Sequence, residues 1–274
     1  MTSREEIRLQ LTLHYDGSRY FGWQVQRTER TVQGELEAAI HRLTGEKRTV
    51  VGAGRTDRGV HATGQVAAVT LPASWHAQRF RKAMNAVLPR DVWLAEAERV
   101  SPRFHPRYDA SARSYEYRVG IADESASPFH RFHCWVLQRE LRTSHLETAA
   151  GYLVGEHSFR AFAKSGQPQR GDRCRITHAE WSPWDGLGLR FKVTANRFLH
   201  HMVRYLVGTM VDVGRGRRPV DDISSMLDDR SPNPETSPPA PAEGLFLTRV
   251  EYPGASSEAP DAPARTEPRR YSEP

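Results

Sequence analysis

Cysteine is nearly absent. Cys134 and Cys174 are the two in 274 residues. Two thiols do not make a disulfide framework, so the chain is expected in a reducing cytoplasm with both thiols free. No run approaches the roughly 20 consecutive apolar residues of a membrane span. The opening stretch, MTSREEIRLQ, lacks the apolar segment of a signal peptide. Lysine is scarce as well, found only at Lys47, Lys82, Lys164 and Lys192, so nearly all positive charge is arginine. There is no HExxH pair and no cysteine cluster for a metal. There is also no Gly-Lys-Ser/Thr for a phosphate loop, and Gly52 and Gly54 lack the third glycine of a dinucleotide fingerprint.

What remains is a globular composition, 38% hydrophobic and 26% charged, with a formal net charge of +6. The length allows one large domain or two smaller ones. A basic chain favours polyanionic partners, nucleic acid first. Arginine's flat fork suits phosphate and stacks on bases, although a GC-rich genome yields the same excess.

Periodicity supplies the elements. Leu9, Leu11, Leu13 and Tyr15 alternate as a half-buried strand, and Asp16-Gly17 turns the chain. Val32, Leu36, Ile40 and Leu43 recur at helical spacing, with Thr31 as N-cap and Gly45 past the end. Strands are expected near Arg48–Val51, over Gln65–Leu71 and over Asp91–Val100, with a helix His76–Leu88 stopped by Pro89. Beyond these, Tyr115, Tyr117 and Val119 alternate, Ser144–Val154 reads as a helix, and two strands flank the turn DGLG. A long helix is expected from Arg197 to Gly214, then a short helix near Val220–Leu227 and a last strand Leu245–Tyr252. Mixed elements with hairpins predict an α+β fold around a mostly antiparallel sheet. The expected division is an N-terminal half, 4–107, a C-terminal half, 108–252, and a disordered Pro- and Ala-rich tail, 253–274. Ser231–Gly244 reads as a long Pro-rich loop.

Within GAGRTDRGVHATGQ (Gly52–Gln65), Asp57 lies between Arg55 and Arg58 among glycines. One reading is an ordinary loop in which Asp57 forms an Asx-turn. The other is chemical. Neighbouring arginine favours a carboxylate's charged form, and a positioned carboxylate attacks electrophilic carbon. A lone acid suits a reaction in which one group attacks and is later released. His61 reads as a satisfied loop residue. His200-His201, taken as helical neighbours, would point about 100° apart and not chelate one ion, so no metal is assigned. Arg204 sits beside the apolar stripe of its helix, where it either pairs with a carboxylate or snorkels at the core edge. Tyr115 is either core or a stacking platform for an unstacked base. YFGWQVQ (Tyr20–Gln26) suits either nucleic-acid contact or plain loop packing.

Five segments in this order, FGWQVQ, GAGRTDRGVHATGQVA, FHPRYDASARSYEY, NRFLHHMVRYLVG and PAEGLFL, give a chain that resembles the bacterial tRNA pseudouridine synthase A family from about Ile7 to Tyr252. The resemblance implies the pseudouridine synthase fold, two α+β halves forming one extended sheet with a cleft between them. It implies isomerisation of uridine to pseudouridine at positions 38, 39 and 40 of the tRNA anticodon stem-loop, by a homodimer without metal or organic cofactor. It casts Asp57 as the catalytic aspartate and Arg204 as its partner. Arg55 is cast as the residue displacing the target base, Tyr115 as the tyrosine stacking on uracil, and Leu245 as an apolar contact to the base. A non-catalytic tRNA-binding module on the same scaffold and a base-releasing nucleoside hydrolase or glycosylase are the alternatives.

Overall fold

A computed structural model describes residues 5–164, 171–228 and 235–254. The expected disordered tail, apart from its first two residues, and part of the Pro-rich loop lie outside the described residues.

Alternation in the first segment produces β1, Glu6–Tyr15, which buries Ile7, Leu9, Leu11, Leu13 and Tyr15 on one face. Each fully buried leucine contributes about 1.5–3 kcal/mol of transfer free energy. Helix α1, Val32–Thr44, starts where the Thr31 hydroxyl accepts the Gly34 N–H at 3.3 Å. It stops at Gly45, whose φ of 75° is the left-handed cap that glycine adopts without strain. β2 is Val51–Gly52, β3 is His61–Pro72, α2 is Ala77–Val87 and β4 is Val92–Val100. α1 and α2 cover this end of the sheet through Leu36, Ile40, Phe80 and Met84.

The chain continues through β5, Ala112–Gly120; β6, Trp135–Val136; α3, Thr143–Leu153; β7, Gly155–Ser158; β8, Arg173–Trp184; and β9, Gly188–Ala195. Then come α4, Met202–Gly214; α5, Asp222–Leu227; and β10, Leu245–Glu251. All ten strands among the described residues share one sheet. Its order is β4-β1-β3-β10-β5-β9-β8-β7, with β2 beside β3 and β6 beside β5. Among the described residues only the β3–β10 and β5–β6 pairs are parallel.

The last strand therefore closes the sheet at its middle. Gly64 makes that closure possible, since a Cβ there would lie 2.0 Å from the Thr248 carbonyl oxygen. Two hydrophobic cores form. One gathers β1, β3, β4, α1 and α2, with Leu247 and Val250 of β10. The other gathers β5, β8, β9, α3, α4 and α5, with Leu245. Tyr115 packs against both.

Two expectations are corrected. β3 begins at His61 rather than Gln65, because His61 and Ala62 pair with Phe246 and Leu247 of a strand far away in sequence. The helix expected from Arg197 begins only at Met202. His201 has φ 63°, and no side chain caps the helix there. Asn196, which could have capped a helix from Arg197, instead bonds to β8, its Oδ1 accepting the Arg175 N–H at 2.9 Å.

Candidate active site

The loop from Ala53 to Val60 is fixed from beneath by the Tyr20–Gln26 segment. The Trp23 N–H donates to the Thr56 carbonyl at 3.0 Å, and Gly59 N–H donates to the Tyr20 carbonyl at 3.3 Å. The Tyr15 and Thr56 hydroxyls bond at 2.8 Å inside the core. Burial pushes the Tyr15 phenol up to about 12, so it remains a neutral hydrogen-bonding group. Gly52 has no room for a side chain, since a Cβ would lie 2.5 Å from the Trp23 ring. Gly22, at φ 88°, lies under the Thr56–Asp57 backbone. Tyr20 and Trp23 are buried, so these aromatics are scaffold for the loop. Arg58 folds back over the Phe21 ring at 4.1 Å, a cation–π contact that turns it onto the scaffold. Arg55 is exposed and held by no hydrogen bond or ion pair among the described residues.

Asp57 is thereby presented at the junction of the two cores. Its carboxylate meets three nitrogens from the second half of the chain. Arg204 Nη1 is 3.5 Å from Oδ2, His201 Nε2 is 3.2 Å from Oδ2, and His200 Nε2 is 3.4 Å from Oδ1. The Asp57 and Arg204 side chains are 23% and 16% exposed, so water screens this pair less than it screens a surface pair. Arg204 is itself braced. Its Nε donates to the Ala240 carbonyl at 2.7 Å, and Ala240 N–H returns a bond to the Arg204 carbonyl at 2.9 Å. Gly208, one turn on, lets that segment lie against α4, because a Cβ there would sit 2.1 Å from the Pro238 carbonyl oxygen.

Tyr115 stands close by, half-buried, edge-on to Phe198 with ring centroids 5.0 Å apart. Burial, with Tyr15 and the Asp57 charge adding to it, raises its phenol well above the usual range and keeps it neutral. Tyr117, two residues on, is core: fully buried, its hydroxyl donates to the Pro241 carbonyl at 2.7 Å. Leu245 opens β10 opposite Tyr117, 6% exposed. Asp57, Arg204 and Tyr115 are thus brought together. Leu245 lies in the second core, and Arg55 projects from the loop.

The sequence reasoning missed His200 and His201. It dismissed them as splayed neighbours on a helix, yet they precede the helix and converge on one carboxylate. The three ligand atoms lie within 4.8 Å of one another, close enough to hold a metal ion. Burial depresses the His201 imidazole below its ordinary value of 6.5. Asp57 opposes this shift, while the charges of His200, Arg204 and Lys164 add to it. His201, at the N-cap position, offers α4 no side-chain cap.

A single carboxylate, set on a rigid loop and faced by a braced guanidinium, is chemically equipped to attack an electrophilic carbon. On a mixed sheet closed by its last strand, this is the arrangement of a pseudouridine synthase fold. Residues 12–109 and 149–253 match the family model described as tRNA pseudouridine synthase. The tRNA pseudouridine synthase A of Moorella thermoacetica is 44% identical over 246 residues, 89% of this chain and 99% of that protein. Its namesake from Syntrophomonas wolfei is 38% identical over 90% of this chain and 98% of that protein, and that of Neisseria gonorrhoeae is 39% identical over 93% and 96%. The chain belongs to the tRNA pseudouridine synthase family.

Proposed function

We propose that the chain isomerises uridine to pseudouridine in tRNA, with Asp57 as the nucleophile. The target lies in the anticodon stem-loop, at positions 38, 39 and 40. The observation that carries this reading is the meeting of Asp57 with Arg204 across the two cores, 147 residues apart in sequence. In the reaction the N1–C1′ bond breaks, the uracil rotates and C5 bonds to C1′; C5 gives up its proton to solvent and N1 takes one up. No oxidant or cofactor is needed for that balance.

The base must first leave its stack, at a cost on the order of a few kcal/mol. Arg55, exposed and unengaged among the described residues, is free to take the place the base vacates. Tyr115 offers its ring to the displaced uracil, and Leu245 supplies an apolar contact. Asp57 must be charged where water is partly excluded, and burial alone opposes that charge. Arg204 supplies the compensating cation, while the imidazoles add hydrogen-bond donors. Because the Arg204 Nε is already engaged by Ala240, its guanidinium loses little further freedom when it faces the carboxylate.

The chain is read as two functional halves, 4–107 presenting the acid and 108–252 presenting its partner, working as a homodimer on the RNA. Tritium release from tRNA carrying 5-tritiated uridine tests the reading. Release without free uracil is expected. Release of free base would make the chain a glycosylase, and no release from any tRNA would leave a binding module.

A further inference from the structure

Arg113, in the segment FHPRYDASARSYEY, has no part in the chemistry above. It lies on β5 two residues before Tyr115, on the same face of the strand. It is half-buried, and no carboxylate is among its partners in the described residues. Its guanidinium ends instead among four main-chain carbonyls. Nη1 donates to Ala110 and to Asn196, both at 3.1 Å. Nη2 donates to Arg107 at 2.6 Å and to Ala53 at 3.3 Å. All the terminal N–H groups are thus in use.

A cation without a counter-ion is unfavourable to bury. Burial accordingly lowers the Arg113 pKa from its ordinary value, with Tyr115 and Tyr252 opposing the shift. What the guanidinium achieves there is geometric. Its planar fork fixes the mutual spacing of carbonyls from three separate stretches of chain. Ala53 opens the loop that presents Asp57. Asn196 opens the segment that carries His200, His201 and Arg204. Arg107 and Ala110 belong to the connection between β4 and β5.

Each stretch is tied down on its own side. The Ala53 N–H donates to the Val66 carbonyl of β3 at 2.7 Å. Asn196 holds β8 twice, its N–H donating to the Arg175 carbonyl at 3.1 Å and its Oδ1 accepting the Arg175 N–H at 2.9 Å. The Tyr252 hydroxyl donates to the Pro106 carbonyl at 2.8 Å. Arg113 therefore bridges pieces anchored to different parts of the sheet. Asp57 stands four residues past Ala53, and His200 four residues past Asn196.

We propose that Arg113 is a positioning residue, setting the Asp57 loop against the Asn196–Arg204 segment so that the acid meets its partners. Ala53 packs in the first core, whereas Leu199 and Met202 pack in the second. Neither core alone fixes the 3.5 Å approach of Arg204 to Asp57. The effect on chemistry rests on the isomerase reading; the clamp itself is a property of the free protein.

Two full-length variants grade the loss. Arg113→Lys keeps the charge without the planar fork, and Arg113→Gln keeps amide donors without the charge. A misplacement of about 1 Å can cost roughly a hundredfold in rate, so single-turnover tritium release at saturating tRNA should fall about tenfold in Arg113→Lys and further in Arg113→Gln. Affinity for tRNA should stay within about threefold, because this guanidinium is engaged by carbonyls and not by phosphates. Added to Arg204→Met, Arg113→Lys should lower the rate less than about threefold more, since the contact it positions is already gone. A merely structural role would lower Tm while leaving the rate of the folded enzyme intact, or add its full loss in the double variant. Either result would overturn the proposal. Hydrogen exchange of the free protein gives a readout apart from activity. Faster exchange over 53–60 and 196–201 in Arg113→Lys, with α1 and α3 unchanged, is expected; unchanged exchange over both segments would overturn the clamp. Should the wild type convert no uridine, the isomerase reading falls and the exchange result alone decides the clamp.

Discussion

Replacing Arg204 with methionine keeps the bulk of the side chain and removes its charge. Two interactions go with it, the ion pair to Asp57 and the Nε bond to Ala240. A hydrogen bond involving a charged group contributes about 1.5–3 kcal/mol. The pair here is long, at 3.5 Å, and partly exposed, which puts it near the lower end, about 2 kcal/mol. If that attraction serves the charged form of the attacking acid, turnover falls about 30-fold at about 1.36 kcal/mol per decade. The Ala240 bond adds a stability loss of about 1 kcal/mol, a Tm shift of a few degrees. Affinity for tRNA should change less than about threefold, since many cations share the phosphate contacts. Single-turnover tritium release gives the first quantity, filter binding the second, and thermal melting the third. Arg204→Lys restores charge without the forked geometry and should fall between. Equal losses in binding and turnover, or full turnover in Arg204→Met, would refute the division of labour assigned to this residue.

Three further outcomes follow from the same geometry. His201, whose imidazole is depressed by burial, is neutral at pH 7 and gains its proton only below its ordinary value of 6.5. The charged ring would then compete for Asp57. Turnover should therefore fall with acid in a step below pH 6.5 that His201→Gln removes. For stability, the unfolded chain takes up this proton first, so the His201 contribution declines as pH drops through 6.5 and is absent as a liability above it. Gly52→Ala drives a methyl into the Trp23 ring; it should cost about 1–3 kcal/mol in melting experiments and lower turnover by shifting the loop. Affinity for tRNA should fall steeply and linearly in log–log plots against salt, and a flat plot would remove the electrostatic account of binding.

Much of this was legible in the sequence. The β1 alternation, the Thr31 and Gly45 caps and the Pro89 stop are local signals, and each falls where its chemistry predicts. Arg204 beside its apolar stripe left two readings open, a carboxylate partner or a snorkelling side chain, and only the placed Asp57 at 3.5 Å favours the first. The rest depends on distant pairing. β7, four residues long, carries no period of its own and exists because β8 lies beside it. The start of β3 at His61 depends on β10. The turn ahead of α4 was the costliest miss, since a helix drawn through His200 and His201 hides both from Asp57.

The most direct measurement is single-turnover tritium release by Asp57→Asn, beside wild type, on tRNA labelled in the anticodon stem-loop. The substitution keeps shape while removing the charge and replacing one acceptor oxygen with an amide NH2 that cannot attack. The account predicts no release above background with tRNA affinity preserved. Release within tenfold of wild type would mean that another group does the chemistry.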